Sequence, residues 1–372
     1  MKGKLLKFIC GVAIRCFLLS PPLFVSTQSL TAGEPLVLIG SIPLKNVEGR
    51  LDHLTFDSRS QHLFIAGLEN HTVEVVDLKH RRRIHQITGV REPQGLLYVA
   101  ESNRLLVCSR GDGTCRSFDA TTFQEGHWID LGRNADNIRF DKVGKTIYIG
   151  SAGEPGNGLL SAVSLDSLLP ASQGGKPAEP HSPADFLLDH PREAEPAMEI
   201  PLAAHPESFQ LDAANHRMYV NVPDEHEIAV IQIGSNSLTR IGQWPVTIAE
   251  KNFAMALGAT SQTLYIACRK SPFVAAYSTG TGNLISKAEC VGDADDLFFD
   301  EKSKRIYVIG GEGFVDVFQV SGTSSHFTRL AHLPTRPRAR TGLFIPELGI
   351  LTVGIPHIAG HAAEILILGA GQ

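Results

Sequence analysis

The chain has 372 residues, 43% of them hydrophobic, with 35 Gly and 21 Pro, a composition that suits many short strands joined by turns. No long helical period runs anywhere along it. Residues 1–32 hold four basic and no acidic residues, so the remainder carries 30 basic against 39 acidic residues, a formal charge of -9 that excludes a generally basic, phosphate-binding surface.

The first 32 residues differ in kind from the rest. MKGKLLK is a basic opening, FICGVAI and CFLLSPPLFV form an apolar stretch broken by Arg15, and a polar segment follows up to Ala32-Gly33. This pattern predicts a secretory signal cleaved between Thr27 and Gly33, and hence a periplasmic or secreted protein. Arg15 and the Pro21-Pro22 pair argue against an uncleaved membrane anchor. Residues 33–372 read as a single domain.

Pro35 to Leu44, PLVLIGSIPL, reads as a strand with no repeat of its own. From Arg50 onward a unit of about 42 residues recurs: an apolar run ending in Phe-Asp or a relative of it, a strand-like run such as HLFIAG six residues later, a third run such as TVEVVDL, and a more polar fourth. The anchors are Phe56, Tyr98, Phe140, Leu211, Leu257, Phe299 and Ile345, spaced 42, 42, 71, 46, 42 and 46. A four-strand unit at this period cannot bury both of its faces alone and must stack on its neighbours. The expected fold is therefore all-β, a seven-bladed β-propeller of four-stranded antiparallel blades. The last unit lacks a fourth run, so the strand at 35–44 is expected to supply it and close the ring.

The 71-residue spacing reflects an insertion in blade three at about 167–197, rich in Pro, Ala, Ser and charge, with one apolar cluster at Phe186-Leu187-Leu188. Its composition predicts an exposed spacer, although the apolar cluster could dock on the ring or a partner. Four cysteines lie beyond the leader. In LLVCSRGDGTCRSF the turn centres on Gly111-Asp112, which places Cys108 opposite Cys115 on two hairpin arms, where either a cross-strand disulfide or two buried thiols can form. Cys268 and Cys290 fall two strands apart, too far to bond.

TVEVVDLKHRRRIHQITGVREPQGLLY, from Thr72 to Tyr98, resembles the YVTN-repeat (YncE-like) propellers, whose unit joins a Y-V-T-N strand, a T-V-x-V-I-D strand and a V-G-x-x-P-x-G link. Fragments recur as MYVNVPDEHEIAVI at Met218, IYIGS at Ile147 and IYVIG at Ile306. The resemblance covers roughly residues 35 to 372 and implies the same seven-bladed fold. No copy has a complete Y-V-T-N and only blade two keeps the proline link, at Pro93, which marks a divergent member.

If the first run of each blade lines the central channel, the link into it and the turn between runs two and three share the top face, where propellers place function. Four residues before each anchor stand Asp52, Gln94, Asp136, Glu207, Phe253, Asp295 and Thr341; one residue later come His53, Gly95, Asn137, Ser208, Ala254, Asp296 and Gly342. Three residues before the first of these rings stand Gly49, Arg91, Arg133, Ala204, Glu250, Gly292 and Arg338. The predicted ligand-binding mouth comprises Arg50, Asp52, His53, Arg91, Arg133, Asp136, Asn137, His205, Glu207, Lys251, Asp295, Asp296 and Arg340. The top turns add Asn70, His71, Arg110, His226, Arg269, His357 and His361. Three readings of this ring stand side by side: turn-capping and ion pairing with no ligand, an oxygen-ligand cation such as Ca2+ held by Asp52, Asp136, Asn137, Glu207 and Asp295, and a polar ligand whose carboxylate or phosphate is forked by arginines. Asp57, Asp141, Asp212 and Asp300 read as turn residues at the other end of the strands.

No G-x-S-x-G, H-E-x-x-H or glycine-rich phosphate loop occurs. The sequence therefore predicts an exported, monomeric binding or scaffold propeller that holds a protein partner or small polar ligand at its top face, with no cofactor. The alternatives are a lactonase-like hydrolase using the same mouth, with His53 or His205 as base beside Arg50, and an extracytoplasmic structural module.

Overall fold

The computed structural model describes residues 34–152, 157–168, 194–322 and 325–370. The expected signal at 1–32 and most of the insertion at 167–197, including Phe186-Leu187-Leu188, lie outside the described residues. The unit from Glu34 onward is a ring of seven four-stranded antiparallel sheets. Blade one runs Leu54–Asp57, His62–Gly67, Thr72–Asp77 and Arg82–Thr88 from the channel outward, and the other blades repeat that order. In blade seven, Leu36–Pro43 pairs with Glu364–Ala370 as the fourth strand, so the first and last strands among the described residues are hydrogen-bonded in one sheet and the ring closes as expected. The fourth run of blade three is Met198–Leu202, beyond the insertion.

Burial follows strand order. Second and third strands are covered on both faces, as HLFIAG and TVEVVD are in blade one, whereas the fourth strand Arg82–Thr88 is largely exposed. Between blades the seal is aromatic. Tyr148, Tyr219, Tyr265 and Tyr307 take the third position of the second strand in blades three to six and are almost wholly buried. Tyr265 meets the blade-six anchor Phe299 at 4.8 Å, Phe64 meets the blade-two anchor Tyr98 at 6.3 Å, and Tyr307 meets Phe344 at 4.9 Å. The Phe-Asp repeat is thus half of an inter-blade contact, each such pair adding about 1 kcal/mol beyond the area it buries.

The Asp of that repeat serves the turn. Asp57 accepts from Arg59 N and Ser60 Oγ, Asp141 from Val143 N, Asp212 from Asn215 N, and Asp300 from Lys302 N and Ser303 Oγ. These bonds hold the bottom turns, and the residue closing each turn is left-handed in all seven blades: Gln61, Asn103, Lys145, His216, Gln262, Lys304 and Gly349. At the top, Gly95 is compulsory for a different reason, because a Cβ there would stand 1.9 Å from the Asp136 carbonyl oxygen of the next blade.

The described start of the insertion is tied down: Leu165–Leu168 forms a 3-10 turn, Leu168 and Ala194 are buried together, and Ser117 Oγ donates to Leu168 O at 2.9 Å. Cys108 and Cys115 are register partners, buried as free thiols with their sulfurs 2.7 Å apart; Cys268 and Cys290 are also buried and free. No helix among the described residues is long and apolar enough to cross a membrane.

Candidate functional site

The links into the first strands and the turns between strands two and three converge on one face. They enclose a cavity of about 240 Å3 lined by Arg50, Asp52, His53, Gln94, Arg110, Asn134, Asp136, His205, Glu207, Phe253, Arg269 and Asp295. Of the thirteen predicted residues, Arg50, Asp52, His53, Asp136, His205, Glu207 and Asp295 line it. Arg340 stands just behind, its guanidinium 3.0 Å from Asp293 and 3.6 Å from Asp295. Asn137 and Asp296 line a second cavity deeper in the channel instead.

Arg340 lines neither cavity, and nor do three further predicted residues. Arg91 and Arg133 are exposed at the rim: their carbonyls accept from Gly111 N and Ala152 N, and the residues that follow, Glu92 and Asn134, are left-handed. The link is thereby bonded to the top turn and its side chain faces outward. Lys251, itself left-handed, pairs with exposed Asp224. Arg338 likewise reaches outward, 3.7 Å from Glu69. The guanidiniums of the mouth are instead Arg50, Arg269 and, at its exposed edge, Arg110, with Arg340 behind them. Asp295 gathers three of them: Arg269 hydrogen-bonds it, Arg340 lies at 3.6 Å and Arg50 at 3.7 Å. Phe253, which interrupts the polar ring in sequence, is the platform on which Arg269 lies, with the guanidinium carbon 3.6 Å from the ring centre. That pairing leaves no periodic trace, because it joins neighbouring residues of the paired strands Glu250–Gly258 and Thr263–Lys270 at an irregularity of register between Asn252 and Ala254.

The electrostatics separate the carboxyls. Burial would raise Asp295, but Arg269, Arg50, His53 and Arg340 outweigh it and hold its pKa below the usual carboxylate range. In Asp52 burial dominates and Asp136 and Asp295 add to it, so that despite Arg50 at 2.6 Å and His53 its pKa rises to about 6. Glu207 lines the cavity half-buried, and its desolvation, with Asp136 and Asp295 adding to it, pushes its pKa well above the ordinary value. His53 stands 3.5 Å from Asp296, 3.6 Å from Asp136 and 3.8 Å from Asp52; these carboxylates overcome its burial and raise it to about 10, so it is an imidazolium.

The donor set does not fit calcium. Among the described residues no three His, Cys, Asp or Glu side chains come together closely enough to hold a metal ion. Guanidinium and imidazolium groups already occupy the space between the carboxylates. The mouth has a surplus of acceptors. Gln94 Oε1, Asn134 Oδ1, Asp136 Oδ1 and both oxygens of Asp52 are buried without a hydrogen-bonded partner in the protein, and Asp52 Oδ2 touches Arg50 without alignment. Each such atom costs about 1–3 kcal/mol if it stays unmatched.

No protein-family model matches the chain and no curated protein matches it. In fold, 1533 chains of solved structures match, and a scaffold so widely used assigns no function by itself. One of them, from a structure described as "Crystal Structure of Mitotic Checkpoint Complex", superposes with a TM-score of 0.65 over 95% of this chain and 98% of its own, at 11% identity. What is shared at that identity is the seven-bladed fold.

Proposed function

We propose that this protein is a binding propeller, a divergent relative of the YVTN-repeat group, whose top-face channel mouth holds a small polar ligand rich in hydrogen-bond donors, such as a polyol or an amino sugar. The surplus of buried acceptors at Asp52, Gln94, Asn134 and Asp136 carries this reading. Arg50, Arg269 and Arg340 are paired with Asp52, Asp293 and Asp295, which disfavours a ligand whose own carboxylate or phosphate is recognised by these three. The basic and apolar leader at 1–32 supports action outside the cytoplasm. A protein partner seated on the same face would offer backbone N–H and side-chain amines to the same acceptors.

The test is a thermal-shift titration with glucosamine, ethanolamine and glycerol on wild type and on a variant carrying Asp52→Asn with Asp136→Asn. Donor-rich compounds should raise Tm in wild type only. If none does, or if the rise persists in the double variant, the reading fails. The raised pKa of Glu207, which lines the mouth with Asp136 and Asp295, favours a second reading, hydrolysis with a carboxylic acid as proton donor. Turnover of a panel of sugar lactones, lost in Glu207→Gln, would establish it.

A further inference from the structure

Beneath the mouth, on the other side of His53, the channel holds a second cavity of about 220 Å3. His53 lines both, so its imidazolium is the partition between them. The inner chamber is built differently. Its apolar wall is Leu54, Leu96, Ile138, Phe298 and Leu343, contributed by five blades, and facing that wall are Asn137, Gln210, Asp296, the His53 partition and one guanidinium, Arg139.

Arg139 is the unexpected member. The corresponding first-strand residues of blades one, two, four, five, six and seven are Thr55, Leu97, Gln210, Ala256, Phe298 and Phe344, so it is the only charge in that ring position. One of its N–H groups donates to Ile138 O at 2.8 Å and another to Ser208 Oγ at 3.3 Å. Its guanidinium carbon also lies 5.5 Å from the centre of the Phe209 ring, and no carboxylate lies within 4 Å of it among the described residues. This contrasts with Arg50, Arg269 and Arg340, each paired with aspartate. Burial pulls the Arg139 guanidinium below its ordinary pKa, and Asp296 and Asp136 are too distant to restore it. Asp296 itself is committed elsewhere, accepting from Gly342 N at 2.9 Å and standing 3.5 Å from His53. A half-buried guanidinium without a counter-ion carries a desolvation cost, and one planar anion forked onto it offsets that cost.

We propose that this chamber is a separate binding site for a small monocarboxylate with an apolar body, its carboxylate paired with Arg139 and its body against Leu54, Leu96, Ile138 and Leu343. An apolar cavity of about 150 Å3 accepts a benzene ring, so the volume here accommodates a benzoate or a short fatty acid. The single uncommitted cation sets the charge class: a dianion such as phosphate would place its second charge against Asp296. The site is independent of what the mouth binds.

Isothermal titration calorimetry of the whole protein with benzoate and hexanoate, against benzamide and hexanamide at equal ionic strength, tests it. The acids should bind at least tenfold more tightly than the amides. Arg139→Gln should abolish that preference, Leu343→Trp should block benzoate with Arg139 still present, and Arg340→Gln at the mouth should leave benzoate binding unchanged. Absence of acid binding, equal binding of acid and amide, or retention of benzoate by Leu343→Trp overturns the proposal. So does an acid preference that survives Arg139→Gln and disappears in Arg340→Gln, which would place the carboxylate at the mouth. Should Arg139→Gln fail to fold, the Leu343→Trp titration decides alone.

Discussion

Neutralising two aspartates of the same ring should shift stability in opposite directions. Asp295→Asn removes the carboxylate that gathers Arg269, Arg340 and Arg50, and these are only 19%, 17% and 20% exposed. Deleting one partner of a buried pair costs about 3–5 kcal/mol, and partial exposure argues for the lower end, about 3 kcal/mol. For a unit of about 340 residues the unfolding entropy near Tm is about 0.7 kcal/mol/K, so this loss lowers Tm by about 4 °C. Asp52→Asn should do the reverse. Its carboxyl has a folded pKa of about 6 against about 3.9 unfolded, so the fold favours the neutral form, which asparagine imitates. The stabilising contribution of protonated Asp52 is fully present below pH 3.9 and is lost as pH rises through 6. At pH 7, therefore, Asp52→Asn should equal or exceed wild type in Tm, and at pH 4 the two should converge. The depressed Asp295 works the other way: its contribution is present above its unfolded pKa and is lost as pH falls. Differential scanning calorimetry at pH 4 and pH 7 on the three proteins reads all of this. If Asp52→Asn falls as far as Asp295→Asn at pH 7, the assignment of one stabilising and one strained carboxylate is wrong.

His53, held at about 10, contributes stability that is complete below its unfolded value of about 6.5 and is lost as pH rises through 10; His53→Gln should flatten the alkaline limb of a plot of Tm against pH. Gly95→Ala drives a methyl group into the Asp136 carbonyl, and a loss of about 1–3 kcal/mol in urea unfolding is expected, together with displacement of the mouth. Tyr307→Ala opens a cavity at the seal between blades six and seven and should cost about 3–5 kcal/mol in the same assay. Because Cys108 and Cys115 are directly opposed, oxidation with diamide should join them, read by intact mass as the loss of two hydrogens and blocked by Cys108→Ser.

The sequence by itself determined the number of blades, their order and the seam. Those features rest on local periodicity: a four-strand unit with Phe-Asp at the end of its first run must stack on another, and the spare strand at 35–44 can complete only the unit that lacks one. The same register placed Asp52, His53, Asp136, Glu207 and Asp295 around one opening. What only the tertiary structure decided is which charges meet. Arg91 and Arg133 occupy the right link position, yet main-chain bonds to the top turn direct them outward. Arg269 and Arg340 become the partners of Asp295 because the ring brings separate segments together, and Phe253 turns from a break in the polar ring into the surface beneath Arg269. Arg139 went unremarked because one charged residue in an apolar strand has no periodic counterpart. Its significance depends on carboxylates that the fold keeps beyond 4 Å, and sequence spacing carries no information about such distances across a channel.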